Sequence, residues 1–272
     1  MLKRTIVGVA LAVLLIAVLY LGAAAQTALF TLAGILSVRE IGQVFKQKGH
    51  KPCLVPAYLF AAFFGVWILF LQELPFLLFF VVCVMITAAE HILNKNRSVM
   101  DCFCGMLCLL YPLLFLALLL SMRMQFENGI GTSALLMAFI CPLAGDTLAY
   151  FVGSLIGKRP LCPSISPKKT VEGSLASFAG GMVGALLVYV LQPLFGTAAI
   201  PAFLCMLIGF VCGFTGQVGD LFASSIKRFA GIKDFGNLLP GHGGVLDRID
   251  SVLFSAPVVY LAISTYVVYF AA

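Results

Sequence analysis

The sequence predicts an all-α, polytopic integral membrane protein, on three observations. Only 10% of its 272 residues are charged and 62% are apolar, against about 25% charged in a soluble domain. The mean hydropathy is +1.09. The apolar residues also fall into long runs, each able at about 1.5 Å per residue to cross or nearly cross a hydrocarbon core of about 30 Å. The sequence has no alternating ten-residue barrel pattern, so backbone amides in lipid are satisfied only by helices.

The runs are 5–21, 23–37, 56–71, 74–90, 103–121, 130–152, 174–191, 200–222 and 252–271, and they predict nine transmembrane helices. The first follows Lys3 and Arg4 and ends before Ala23, Ala24 and Ala25, imitating a secretory signal peptide. The topology keeps it as a span, with Gly22 as the break before the second. Gln72 and Glu73 supply a tight turn between the third and fourth. The shorter runs need local thinning or flanking residues that snorkel. The whole chain, 1–272, is expected to form one membrane domain. Residues 1–130 have no assigned role, and residues 140–255 carry the chemistry.

Charge placement orients the spans. With the N-terminus in the cytoplasm, the inside segments hold Lys3, Arg4, Arg39, Lys46, Lys48, Lys51, Lys95, Arg97, Lys158, Arg159, Lys168, Lys169, Lys227, Arg228, Lys233 and Arg248. Of the 17 basic residues, Arg123 alone falls outside. Positive charge gathers on cytoplasmic loops, so the net charge of +6 reports topology and calls for no nucleic acid. The C-terminus is then on the outer side. Nine cysteines, an odd number, lie mostly in or beside apolar runs. They have no CxxC pair and no zinc spacing, and read as small apolar side chains in a reducing context.

Two inside loops, 157–173 and 223–250, are longer and more polar than topology requires. Gly153, Gly157 and Lys158 imitate a phosphate loop, but only three residues separate the glycines and Arg159 follows the lysine, so that reading is discarded. Asp146 and Asp220 lie inside predicted spans, where a carboxylate costs about 2.5–3.5 kcal/mol at the centre. Each either snorkels at the boundary or faces a polar cavity and binds a cation. Gly216 and Gly219 favour close backbone approach just before Asp220. On a continuing helix Asp220, Ser224 and Lys227 share a face. Gly241, His242, Gly243 and Gly244 form a turn whose amides suit an anion. Asp247, Arg248 and Asp250 then open the last helix, where acids are also good capping chemistry. Carboxylates, lysines, arginines and close-approaching glycines together are the kit for phosphoryl or nucleotidyl transfer.

These residues also carry a family resemblance. Ser224, Lys227, Arg228, Lys233, Asp234, Leu239, Pro240, His242, Gly243, Gly244, Asp247, Arg248 and Asp250 resemble the signature of the phosphatidate cytidylyltransferases (CDP-diacylglycerol synthases), with no departure over residues 224–250. Asp146 to Tyr150, and Gly157 and Lys158 leading to Ser166, Pro167, Lys168, Lys169, Thr170, Glu172 and Gly173, look like the same family. The resemblance covers about residues 140–255. The first 130 residues match it only in hydropathy.

The resemblance implies an all-helical membrane enzyme, a homodimer with a cytoplasm-facing site, in a bacterial-type plasma membrane. It joins CTP to the membrane lipid phosphatidate, giving CDP-diacylglycerol and pyrophosphate with magnesium; potassium is a candidate to share the site. By residue match Asp220 and Asp247 hold the metal. The lipid phosphate is itself the nucleophile. Its second pKa near 6 leaves it largely dianionic at pH 7, so no strong base is needed. Lys227, Arg228, Lys233 and Arg248 would neutralise the triphosphate, and Lys168 and Lys169 would hold the lipid phosphate or the nucleotide. Asp234 and Asp250 would orient lysines. His242 either bonds a phosphate or shapes the turn. Ser224, Thr170, Glu172, Asp146, Gly243 and Gly244 complete the expected substrate-binding set. The expectation is that Asp220 and Asp247 meet at the cytosolic rim. The rival enzyme is a CTP-using polyprenol or dolichol kinase, whose attacking alcohol would want a base. CDP-alcohol phosphotransferases are disfavoured, because the chain lacks their Asp-Gly-x-x-Ala-Arg motif. A transporter is disfavoured because the polar residues gather on one face and no inverted repeat is visible.

Overall fold

Gly22, at φ 84°, separates helical residues 16–21 from α1, Ala23–Gln47. The computed structural model describes residues 13–14, 16–71, 75–196, 200–239, 241 and 243–270. Most of the first predicted span, the Gln72 and Glu73 turn and His242 therefore lie outside the described residues. α2 is Val55–Phe70, started by Pro56 in its first turn, where a missing amide costs nothing. α3 is Phe76–Leu93. α4, Val99–Cys108, opens with a capping box between Ser98 and Asp101. A π-helical stretch, Leu109–Leu114, joins α4 to α5, Phe115–Gln125. Tyr111 is non-helical there (φ −115°, ψ 101°), directly before Pro112. That is the conformation a proline imposes on its predecessor. The apolar run 103–121 hides this kink.

α6, Ile130–Ile156, leads into a two-stranded antiparallel hairpin, β1 Pro160–Cys162 and β2 Ser166–Thr170. Pro160, Pro163 and Pro167 exclude a helix from this basic loop. Thr170 caps α7, Val171–Leu191, by accepting from Gly173 N. α8 is Ala202–Ala230 and α9 is Leu246–Phe270. Two helices outrun their apolar stretches. α1 carries Arg39, Glu40 and Lys46 on helix rather than in the expected loop, and α8 carries Ser224, Lys227 and Arg228 on its last turns. Among the described residues seven helical spans are long and apolar enough to cross a membrane, and α2 is a shorter apolar helix. The protein is an all-α polytopic membrane protein, with the hairpin as a small addition. All nine cysteines are free, and Cys162 is the single one not buried.

The chain divides into two compact units: Met1–Leu120 with Ile226–Ile249, and Ser121–Ser225 with Asp250–Ala272. In the first, Val38, Ile41, Phe60, Phe64, Leu109 and Leu113 form a fully buried core. Phe60 stacks on Phe79, and Trp67 lies parallel to Phe79 at 5.1 Å. One face of α3 remains outside this packing, with Leu77, Leu78, Val81, Val82 and Met85 exposed, as suits a lipid-facing helix.

In the second unit the helices pack through small residues. A side chain on Gly181 would collide with the backbone carbonyl of Gly209, and one on Gly213 with that of Ser177. This close approach lets Ser177 Oγ donate to Gly213 O at 3.0 Å and Gln217 Nε2 donate to Ser174 O at 3.0 Å. Small residues that bring backbones together are a principal device of helix association in membranes. Gly181→Ala is accordingly expected to destabilise the protein by about 1–3 kcal/mol, the usual cost of overpacking. Thermal unfolding in detergent checks this; an unchanged melting temperature would mean that the seam yields.

Candidate active site

In the first unit the polar residues close around Asp247. Its Oδ1 accepts from Lys227 Nζ at 2.7 Å. Its Oδ2 accepts from Phe235 N at 2.8 Å and Gly244 N at 2.9 Å. Lys227 comes from the last turns of α8, Phe235 from the connecting loop, and Gly244 from just before α9. One carboxylate thus ties three parts of the motif together. Asp247 and Lys227 are 8% and 7% exposed, and Lys227 also lies 5.2 Å from the Phe235 ring centroid. A buried pair of this kind holds only with further hydrogen bonds beside it, and the Phe235 and Gly244 amides on Oδ2 supply them.

The glycines of the loop are required by this arrangement. Gly243 sits at φ +82°, and a side chain there would meet Asp247 Oδ2 and Asp234 Cβ. Leu239 N donates to Gly243 O at 2.9 Å, closing the turn. The amides at its end are not open to an anion as the sequence suggests. Gly244 N is on Asp247, while Val245 N and Leu246 N are held by Glu40 Oε1 and Oε2 at 2.9 and 2.8 Å. Glu40 is 7% exposed and sits on α1, in the region without an assigned role. Sequence reasoning missed it. The one local signal is an acid beside Arg39 in a helix whose apolar run has just ended.

Around this buried knot the cations Arg228, Lys233 and Arg248 and the acid Asp234 are exposed. Arg228 NH1 donates to Ile232 O at 3.1 Å. The structure separates Lys227, which grips Asp247, from Arg228, Lys233 and Arg248, which are exposed.

The second unit has its own charged cluster. Lys169 forms an ion pair with Asp220 at 2.5 Å, so the carboxylate that lacks a cation in its own helical turn receives one from β2. Ser224 Oγ is 3.4 Å from Asp220 Oδ1, the expected one-turn spacing on α8. Asp146 interacts electrostatically with Lys169 and Asp220, and hydrogen-bonds Ser251. Lys168 is exposed while its neighbour turns onto Asp220, because successive strand residues point to opposite faces. Glu172 accepts from Lys158 N at 3.1 Å and Arg159 N at 3.3 Å, anchoring the start of the hairpin. Thr170 is committed to capping α7. Asp250 Oδ1 accepts from Ser251 N. Gly216 and Gly219 do meet backbone closely, a side chain on Gly219 colliding with Asp250 O.

Among the described residues no three or more His, Cys, Asp or Glu side chains gather as a metal cage. Magnesium does not ask for one: it is held by one or two carboxylates, with phosphate and water completing the shell. The donors fit that pattern. Each carboxylate oxygen accepts two bonds. Among the described residues Asp247 Oδ1 has one donor, Lys227, and Asp220 carries Lys169 and the long Ser224 contact. Asp146 adds a second acid against the single Lys169. Both clusters therefore keep acceptor capacity, and the second sets two acids against one lysine.

The fold and site define a membrane-embedded, helical protein whose first unit holds a buried Asp247–Lys227 pair with exposed cations near it in sequence, and whose second unit holds a partly exposed Asp220–Lys169 pair. A model of the Cytidylyltransferase family matches residues 2–266. The chain belongs to this family. It is 44% identical over 136 residues to the phosphatidate cytidylyltransferase of Bacillus subtilis (strain 168), covering 50% of this chain and 49% of that protein. It is 40% identical over 167 residues to that of Staphylococcus saprophyticus, covering 61% of each. It is 45% identical over 130 residues to that of Synechocystis sp., covering 48% of this chain and 43% of that protein. In these matches the chain spans between 43% and 61% of the relatives' length.

Proposed function

We propose that this protein transfers CMP from CTP to phosphatidate, forming CDP-diacylglycerol and pyrophosphate at a cytoplasm-facing site of a bacterial-type plasma membrane. The observation that carries this reading is the family match over residues 2–266, which takes in the whole polar island. A phosphate oxygen of phosphatidate bonds to the α-phosphorus of CTP, and the bond from that phosphorus to the pyrophosphate oxygen breaks. The nucleophile is already ionised near neutral pH, which suits a described site of acids and cations. Arg228, Lys233 and Arg248 neutralise the triphosphate and the departing pyrophosphate. Lys168 and Lys169 face the lipid phosphate or the nucleotide, and Lys227 donates to Asp247 Oδ1. Gly243 shapes the turn beside the nucleotide, and Asp234 and Asp250 orient neighbouring charges.

Asp220 and Asp247 are each proposed as a magnesium ligand, with potassium as a companion ion. Bound magnesium would supply charge neutralisation at the phosphates. The acyl chains stay in lipid and the nucleotide arrives from the cytoplasm. The resemblance of the motif further supports a homodimer.

The test uses purified protein, phosphatidate vesicles, magnesium and CTP labelled in the α-phosphate, followed by lipid extraction. Label is expected in the lipid fraction with phosphatidate, and none with polyprenol. Label from the γ-phosphate entering polyprenol would establish a kinase instead.

A further inference from the structure

We propose that Glu40 is a positioning residue for Asp247, so that the half of the chain outside the motif helps to set the geometry of the site. The inference rests on the reading of Asp247 as part of the catalytic machinery. α9 has no N-cap side chain of its own: Val245 stands where Ser, Thr, Asp or Asn would normally serve the first free amides. Glu40 fills that role from 205 and 206 residues away, one carboxylate oxygen on each amide, at 2.9 and 2.8 Å. A negative charge at a helix N-terminus is also favoured by the helix dipole.

The chain makes room for this carboxylate at two points. A side chain on Gly244 would fall 2.5–2.6 Å from Glu40 Cδ and Oε2, and one on Gly236 would fall 2.9 Å from Oε1. Those two glycines flank the loop whose Phe235 and Gly244 amides bind Asp247. Glu40 and Asp247 therefore grip the same short segment from two sides, Glu40 at residues 245–246 and Asp247 at residues 235 and 244. With the α9 entry fixed, the Asp247 carboxylate has one direction in which to meet Lys227.

Glu40→Gln tests this, because the isosteric amide has one acceptor oxygen and would turn an N–H donor toward an N–H donor. Hydrogen exchange is read first, in full-length protein in detergent, on peptides covering 235–249. Exchange at 244–246 is expected to rise at least tenfold over wild type, with peptides from α6 and α7 unchanged. In the same preparation kcat for CDP-diacylglycerol formation is expected to fall about 10–100-fold, the range for residues that orient a metal-site ligand. KM for phosphatidate should stay within about threefold, since Glu40 is placed to touch no lipid. Gly236→Ala, which presses on Oε1 without removing the charge, is expected to move exchange and kcat in the same direction by a smaller factor. It also serves if Glu40→Gln does not fold. Unchanged exchange at 244–246 in the folded variants, or kcat within twofold of wild type, would overturn the proposal. If wild-type protein makes no CDP-diacylglycerol, the proposed function falls, while the exchange result still decides whether Glu40 holds the start of α9.

Discussion

Asp220→Asn is expected to lower CDP-diacylglycerol formation about 10²–10³-fold, the loss typical of removing one preorganised electrostatic group from a transition state. The fold is expected to survive. Asp220 and its partner Lys169 have side chains 31% and 23% exposed, and a partly exposed ion pair contributes at most about 1 kcal/mol. The Ser224 contact at 3.4 Å is too long to add much. Near-normal melting with collapsed turnover is the expected combination, measured by thermal unfolding and initial rates on one preparation. Wild-type turnover would remove Asp220 from the machinery.

Asp247→Asn is expected to abolish turnover to a similar degree and, unlike Asp220→Asn, to weaken the protein. The change leaves the Lys227 ammonium buried against a neutral amide. Breaking a buried pair from one side costs about 3–5 kcal/mol. The Phe235 and Gly244 amides both bond Oδ2, so an asparagine that presents its oxygen to them turns its NH2 toward Lys227. Lys227→Met combined with Asp247→Asn should recover part of the lost stability and none of the activity. Melting temperatures of the two single variants and the double variant give the coupling between the residues. An additive result would mean that the pair is not the unit described.

Much of this architecture is legible in the sequence, for identifiable reasons. A membrane core demands long apolar helices, so hydropathy marks the spans. It does not mark where a helix ends once it leaves lipid. α1 and α8 continue into polar residues because those residues are buried in protein, as Glu40, Ser224 and Lys227 are. The kink at Tyr111 was signalled by Pro112 but submerged in an apolar run. The motif 224–250 is readable as a dense run of charged residues and glycines, but its internal pairing is not: the sequence sets Lys227 on the triphosphate, and the fold sets it on Asp247. The contact of Glu40 with Leu246 is not readable, since no local pattern encodes a bond across 206 residues. Lys169 on Asp220 is intermediate: both residues stand out, but only the hairpin decides which of the two neighbouring lysines turns inward.

The proposed activity is tested most directly by product stoichiometry. Purified wild-type protein with magnesium, phosphatidate vesicles and CTP labelled separately in the α- and γ-phosphates should yield equimolar CDP-diacylglycerol and pyrophosphate. The α-label should be in lipid and the γ-label in pyrophosphate, with both products lost on chelation and in Asp220→Asn protein that melts like wild type. Release of inorganic phosphate in place of pyrophosphate, or undiminished transfer by the Asp220 variant, would contradict the account.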